Sequence, residues 1–351
     1  VVDEPPSDGE KTEVLQLVMR LSSDLTVQQK GQELLFFDQA GKHFRYRKLH
    51  VWDVQGTAIP ANFSLDEDRL SIVADVRHAD FPVTVDPTFQ TESYIKASNT
   101  EAGDWFGFSV SIYGDTMVVG ARSEDSSATG IDGDQFDNNA SAAGAVYVYV
   151  RDADGWEQQA YVKASNAEGG DYFGYAVDIY ENTLVVGAPG EDSAAHQVDG
   201  DQFSNSSENS GAAYVFVRET ADTWRQEAYL KPSENRQKAG FGRSVALSGG
   251  VVVVGAPGIE SAFVFRRTES NWVQEGLLRA SSGADGDEFG CAVDISGDTL
   301  VIGAYLEDSA ARVVNGNQQD DSATDSGAAY VFQRSGNWYQ QAYLKAENAD
   351  P

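Results

Sequence analysis

Cysteine is almost missing from this chain: its 351 residues hold one, Cys291, so no intrachain disulfide can staple the fold. Poverty in cysteine fits the cytosol and a bacterial exterior equally, so the count leaves the compartment open. Histidine is scarce as well. His43, His50, His78 and His196 are the only four, and no two stand at metal-binding spacing. Neither a Gly-x-Ser-x-Gly elbow nor a phosphate-binding loop occurs. No apolar run approaches the length of a membrane-spanning helix, which excludes direct insertion of this stretch by such a helix. Positive charge is the last shortage, with 25 Lys and Arg against 55 Asp and Glu and a formal net charge of -30. Such a surface repels phosphate backbones and anionic headgroups, which excludes nucleic acid as a partner, and it suits divalent cations. Nine basic and 15 acidic residues precede Thr91, a net of -6, so -24 falls on the remainder. The chain opens Val1-Val2-Asp3 without methionine and reads as a processed or excised segment, any signal peptide lying upstream.

Repetition is what the sequence has in quantity. A Phe-Gly pair occurs at Phe106-Gly107, Phe173-Gly174, Phe241-Gly242 and Phe289-Gly290, at spacings of 67, 68 and 48 residues. Thirteen residues after each glycine comes a Gly-Ala pair: Gly120-Ala121, Gly187-Ala188, Gly255-Ala256 and Gly303-Ala304. A run rich in Tyr, Val and Phe follows, at 145–149, 213–216, 262–265 and 329–332. A fourth run opens on Trp156, Trp224, Trp272 or Trp338 and leads into Tyr161-Val162-Lys163, Tyr229-Leu230-Lys231, Leu277-Leu278-Arg279 or Tyr343-Leu344-Lys345. Continuously apolar stretches such as Val251 to Val254 suit strands buried on both faces. Tyr113-Gly114-Asp115 and Ser296-Gly297-Asp298 suit tight hairpins between the first two strands. Four antiparallel strands repeated about an axis make propeller blades.

The pattern resembles the FG-GAP repeat of integrin α subunits and of many bacterial surface proteins, over roughly residues 93–351. That resemblance implies an all-β fold with a β-propeller of four-stranded blades, seven in the usual ring. The four units here fall near 93–162, 163–230, 231–278 and 279–345, within a propeller region of 91–351. Ser93-Tyr94-Ile95-Lys96 and Tyr343-Leu344-Lys345-Ala346 are two versions of one strand, and a closed four-unit ring needs only one. The four units are therefore expected to belong to a larger ring, with further blades after Pro351. Ahead of them, 1–12 reads as a flexible lead-in. Residues 13–88 read as a small, sandwich-like all-β domain, with strands around Val14 to Leu21, Leu34 to Phe37, Phe44 and Tyr46, Val51 and Val54, Phe63 to Leu65, Leu70 to Val73 and Pro82 to Val85. Its closing phrase, Phe81 to Pro87, resembles the tail of domains that precede repeat arrays in secreted bacterial proteins.

Units one, two and four carry an insertion of 22 residues between their second and third strands, at 123–144, 190–211 and 306–327; unit three has only a few residues around Ile259-Glu260-Ser261. The three inserts align residue by residue. Asp125, Asp192 and Asp308 share a column, and Asp132-Gly133-Asp134, Asp199-Gly200-Asp201 and Asn315-Gly316-Asn317 share another, with Asp137 further on. Two residues before the phenylalanine stand Asp104, Asp171 and Asp287 in the insert-bearing units and Ala239 in the other. Two readings stay open. The acids cap backbone N–H groups in Asx turns, or they bind Ca²⁺, which takes six to eight oxygens. The candidate ligands are Asp104, Asp125, Asp132, Asp134, Asp137, Asp171, Asp192, Asp199, Asp201, Asp287 and Asp308. The integrin-type calcium loop lies before the Gly-Ala-Pro strand, where this chain has only a short hairpin, so those family sites are not carried over.

No catalytic residue is assigned. Acids that recur in register argue against a glycosidase pair, which should be unique. The four repeated tryptophans read as packing between neighbours. Trp105 differs, because its column holds Tyr172, Gly240 and Glu288, and it is the candidate ligand-binding aromatic. Cys291 shares a column with Phe108, Tyr175 and Arg243 and reads as a packing residue. The resemblance implies a secreted or cell-surface protein that binds a protein or glycan through propeller loops without catalysis. The alternative is a structural subunit of a fibre, sheath or scaffold that self-assembles through its end strand.

Overall fold

The computed structural model describes residues 14–20, 26–30, 33–37, 43–66, 69–89, 94–152, 155–269, 271–282 and 286–347. The chain divides into two compact units, Val1–Tyr94 and Ile95–Pro351. The expected lead-in, residues 1–12, lies outside the described residues.

The first unit holds seven strands: β1 (Val14–Arg20), β2 (Thr26–Lys30), β3 (Glu33–Phe37), β4 (His43–Trp52), β5 (Ala61–Asp66), β6 (Arg69–Asp75) and β7 (Thr84–Phe89). They form two sheets, in the orders β1-β6-β5 and β2-β3-β4-β7. Alternation sends one face of each sheet inward. Leu15 and Ala74 of the first sheet meet Val51 of the second, and Phe63, Leu70 and Ile72 meet Leu34. Strand β2, Thr-Val-Gln-Gln-Lys, carries no apolar alternation and is legible only through its pairing with β3.

The second unit is built of four antiparallel sheets, each with its strands in chain order. Blade one is β8 (Phe106–Tyr113), β9 (Thr116–Ala121), β10 (Ala145–Arg151) and β11 (Trp156–Val162). Blade two is β12 (Ala176–Tyr180), β13 (Thr183–Ala188), β14 (Ala212–Arg218) and β15 (Trp224–Leu230). Blade three is β16 (Ser244–Ser248), β17 (Val251–Ala256), β18 (Ser261–Arg267) and β19 (Trp272–Leu278). Blade four is β20 (Ala292–Ser296), β21 (Thr299–Ala304), β22 (Ala328–Ser335) and β23 (Asn337–Leu344). The innermost strands lie side by side, β8 on β12, β12 on β16 and β16 on β20. That is the arrangement of propeller blades about an axis.

The motif residues are the joinery of this stack. The phenylalanine of each Phe-Gly pair stands edge-on to an aromatic ring of its own third strand: Phe106 on Tyr147 at 5.4 Å, Phe173 on Tyr214 at 5.4 Å, Phe241 on Phe263 at 5.7 Å and Phe289 on Tyr330 at 5.2 Å. The glycine of each Gly-Ala pair lets the next blade come close. A Cβ on Gly120, Gly187 or Gly255 would lie 2.1, 1.9 or 1.9 Å from the carbonyl oxygen of Gly174, Gly242 or Gly290 in the following blade. Tryptophans tie outer strands together, the indole N–H of Trp224 donating to Gln159 and that of Trp272 to Glu227, both at 2.9 Å. All four third strands share a register shift at one place, Val148/Tyr149, Val215/Phe216, Val264/Phe265 and Val331/Phe332.

One expected strand is not formed. Ser93 lies outside the described residues, and Tyr94–Lys96 is coil. A strand needs an edge to pair with, and among the described residues no strand pairs with this segment.

Candidate functional site

The inserts of blades one and two grip the following blade. In the first joint the amides of Gly170, Tyr172 and Phe173 donate to the carbonyls of Ser141, Ala142 and Ala143, at 2.9 to 3.0 Å. In the second, Lys238, Gly240 and Phe241 donate to Glu208, Asn209 and Ser210, at 2.8 to 3.1 Å. Blade three has no insert, and one carboxylate replaces it. Glu260, held at a left-handed φ of 49°, accepts the corresponding amides of Gly286, Glu288 and Phe289 at 3.1, 3.1 and 2.7 Å.

Each insert is in turn locked from beneath by a buried ion pair that sequence reasoning missed. Glu124, Glu191 and Glu307 open the inserts just ahead of the Asp column. Each accepts from a buried lysine at the end of its blade's outer strand: Lys163 at 2.8 Å, Lys231 at 2.9 Å and Lys345 at 2.8 Å. Tyrosines Tyr161, Tyr229 and Tyr343 donate to the same carboxylates at 2.7 Å, and Asn99 and Asn166 add amide donors in blades one and two. Lys231 further donates to Ser210 Oγ at 2.9 Å and the Gly211 carbonyl at 2.7 Å. Burial pulls the Lys163 and Lys231 ammonium pKa values down, and the facing carboxylates oppose that fall. The signal was in the sequence: Lys163, Lys231 and Lys345 accompany inserts, and blade three has Arg279, which pairs at the surface with Glu234.

The aspartates named as cation ligands are spread along these loops as caps. Asp125, Asp192 and Asp308 accept from the amides of Ala142, Asn209 and Asp325 at 2.6 to 2.8 Å. Asp132 and Asp199 accept from Tyr161 and Tyr229 at 2.9 Å, as Asn315 does from Tyr343. Asp134, Asp201 and Asp137 close Asx turns on Phe136, Phe203 and Asn139, at 3.0 to 3.1 Å. Asp104 and Asp171 accept from Glu101 and Glu168 in their own loops, while their backbone carbonyls receive the insert's first amide, from Ser123 and Gly190. Ala239 in the insert-free blade receives Gly258 the same way, so that contact is not what the aspartate is for. Asp287 keeps a buried, unpartnered Oδ2. Burial, reinforced by neighbouring acids, raises the pKa of Asp104, that of Asp171 to about 7 and that of Asp287 to about 6. Among the described residues no three His, Cys, Asp or Glu side chains converge to hold a metal. The carboxylates of Asp125, Asp192 and Asp308 thus face backbone N–H groups.

A different cluster forms at the Phe-Gly end of the inner strands. The Arg122 guanidinium lies 4.3 Å from the Trp105 ring centre and 4.5 Å from that of Phe108, with Tyr172 and Tyr175 at 5.5 and 5.4 Å. Arg243 from blade three approaches Tyr175 from 5.5 Å, and the Phe108 and Tyr175 rings meet at 4.9 Å. Trp105, at a φ of 59°, is 57% exposed. Neither Arg122 nor Arg243 has a carboxylate partner among the described residues, and Arg122 Nε is buried without any hydrogen bond. In a chain so acidic, two guanidiniums without carboxylate partners beside aromatic rings offer donors of the kind an anionic group takes. Sequence reasoning found Trp105 and passed over Arg122 and Arg243, which lie 121 residues apart and meet only through Tyr175 in the fold.

A family model described as FG-GAP repeat matches residues 89–149, 156–216, 224–265 and 272–332, more than half of the chain. Comparison with curated proteins finds no match. Among solved structures the chain is similar to a periplasmic gluconolactonase of Pseudomonas aeruginosa, at 13% identity and a TM-score of 0.42, covering 97% of this chain and 84% of that one. It is also similar to the β-propeller domain of Cps50 (Swd1) from Myceliophteria thermophila, at 12% identity and a TM-score of 0.33, covering 79% and 75%. The N-terminal domain of Nup159 is a third, at 11% identity and 0.36, covering 97% and 70%. At such distances no activity is carried over.

Proposed function

Because the chain belongs to the FG-GAP repeat family, we propose that it is a non-catalytic binding module of the cell exterior, recognising a protein or glycan through the loops at the Phe-Gly end of its blades. The observation that carries this reading is the pair of arginines without carboxylate partners, Arg122 and Arg243, both near the Tyr175 ring, with Trp105 and Phe108 close to Arg122. Guanidinium donors fix the anionic group of a ligand, and exposed rings supply stacking area. An acidic saccharide or an acidic peptide with an aromatic or aliphatic neighbour has this chemistry. Membership of the repeat family is what supports an extracellular setting.

The test is an array of acidic and neutral glycans and peptides, followed by calorimetry on the strongest hit. Replacing Arg122 and Arg243 together by glutamine should weaken binding by about tenfold or more, the loss of at least one charge-assisted contact. Selection of neutral ligands, or an affinity indifferent to both substitutions, would overturn the site. Turnover of a hit, abolished by the same pair of substitutions, would overturn the non-catalytic reading.

A further inference from the structure

The joint between blades three and four departs from the two before it at the outer strands. In those earlier joints the residue three places after one blade's tryptophan accepts the indole N–H of the next. Gln159 accepts from Trp224 and Glu227 from Trp272, both at 2.9 Å. Glu275 holds the same place for Trp338, yet no such bond forms. Trp338 Nε1 is buried without a hydrogen-bond partner.

Two residues of blade three account for this. Arg266 stands where the other third strands carry Val150, Val217 and Gln333, and its Nε–H donates to one Glu275 oxygen. Arg334 Nη1 donates to the other at 3.4 Å. The carboxylate is thereby drawn off the indole. Gly276 stands where the other outer strands carry Ala160, Ala228 and Ala342. A Cβ there would lie 3.5 Å from Trp338 Cδ1, the carbon bonded to Nε1, so alanine would fit by ordinary contact and cover the indole edge. With glycine the edge stays open. The result is a cleft of about 200 Å³, bounded by Glu275, Gly276, Leu277 and Leu278 of blade three and by Asn337 and Trp338 of blade four.

We infer that this cleft binds one ring of a neutral saccharide. A buried donor with no acceptor is costly to leave unmet, so the indole N–H calls for an oxygen. The charges at the wall balance, Arg266 and Arg334 facing Glu275 and Asp298, which gives an anion no advantage over a neutral group. A hydroxyl can accept from the indole while donating to a Glu275 oxygen, and a carbonyl cannot do both. The C–H face of a pyranose suits the indole ring and Leu277. Sites for drug-sized molecules run to about 300–1,000 Å³, so a cleft of this size takes a single ring. It shares no residue with the cluster at the Phe-Gly end and does not rest on the reading given for that cluster.

NMR of protein labelled at the indole nitrogen tests it, with one signal for each of the six tryptophans. Trp338→Phe identifies the signal of Trp338. Glucose, galactose, mannose and N-acetylglucosamine, with glucuronate as the acidic counterpart, are titrated to about 100 mM, a hundredfold above the affinity of about 1 mM expected for one ring. At least one neutral sugar should move the Trp338 signal saturably, and glucuronate should bind about tenfold more weakly or worse. Gly276→Ala and Arg266→Val install the residues that blades one and two carry, so both variants should fold. The first covers the indole edge, and the second frees Glu275 to accept the indole N–H. Each should weaken binding by about tenfold or more. Arg266→Val should also shift the Trp338 signal, without any sugar, in the direction of a hydrogen-bonded indole. A signal that no neutral sugar moves would mean that water alone meets the donor, and overturns the inference. Binding that survives both substitutions, or that follows glucuronate instead, overturns it as well. Sugar binding that leaves the Trp338 signal in place and is lost with Arg122→Gln and Arg243→Gln would belong to the Phe-Gly end, overturning this cleft while sparing that site.

Discussion

Replacing Lys231 by methionine tests whether the buried ion pairs lock the inserts to the blades. Methionine has nearly the volume of the lysine side chain, so little of the effect should come from a cavity. What disappears is the cation at 2.9 Å from Glu191, along with a donor to Ser210 Oγ and to the Gly211 carbonyl. Glu191 keeps Tyr229 at 2.7 Å, Asn166 at 3.2 Å and the Ser193 amide at 3.1 Å, but its charge is left buried without a counter-charge. Breaking one side of a buried pair costs about 3–5 kcal/mol, and the surviving donors place this case near about 3 kcal/mol. For a unit of this size that is a fall in melting temperature of about 6–12 °C. Adding Glu191→Gln removes the stranded charge and offers an amide to the vacated acceptors, at the cost of one acceptor for the Ser193 amide. The double variant should therefore recover about 1–2 kcal/mol relative to Lys231→Met alone. Urea unfolding followed by tryptophan fluorescence would measure both. A single-variant loss under about 1 kcal/mol, or a double variant worse than the single, would refute the assignment of the insert's anchorage to this pair.

Glu260→Ala should destabilise the third joint by about 2–3 kcal/mol, since three amides lose a charged acceptor, with Glu260→Gln in between; chemical denaturation checks the order. Asp171 is raised to about 7, so its ionised form is the one the fold disfavours. Its contribution to stability falls as pH rises from about 4 through about 7, and Asp171→Asn should flatten that slope in melts across this window. Thermal melts in EDTA and then in calcium should coincide, because the insert aspartates already cap backbone amides. A rise of about 2.7 kcal/mol at a hundredfold excess over the dissociation constant, not reproduced by magnesium, would make the inserts calcium sites.

How much could be read in advance differs from element to element. The Phe-Gly and Gly-Ala pairs, the apolar second strands and the tryptophan-led outer strands repeat at fixed distances, and local periodicity of that kind specifies strands and their order. Trp105 stood out because its column varies. The Asx turns at Asp134, Asp137 and Asp201 were legible too, since a side chain that bonds an amide two residues on leaves a local signature. The other roles of the acids were not legible. Asp132 reaches Tyr161 across 29 residues, Lys163 reaches Glu124 across 39, and Glu260 reaches Phe289 across 29. Spacing in the chain says nothing about such contacts.

By itself, then, the sequence determined that four sheets of four strands would form and where each would begin. Only the tertiary structure decided what the acids do, because a carboxylate serves a cation, a lysine or a row of amides according to what folding sets within 3 Å of it. It alone brought Arg122 and Arg243, from different blades, to one tyrosine. It alone showed that Gly120, Gly187 and Gly255 admit a carbonyl of the next blade, because only folding sets two blades face to face.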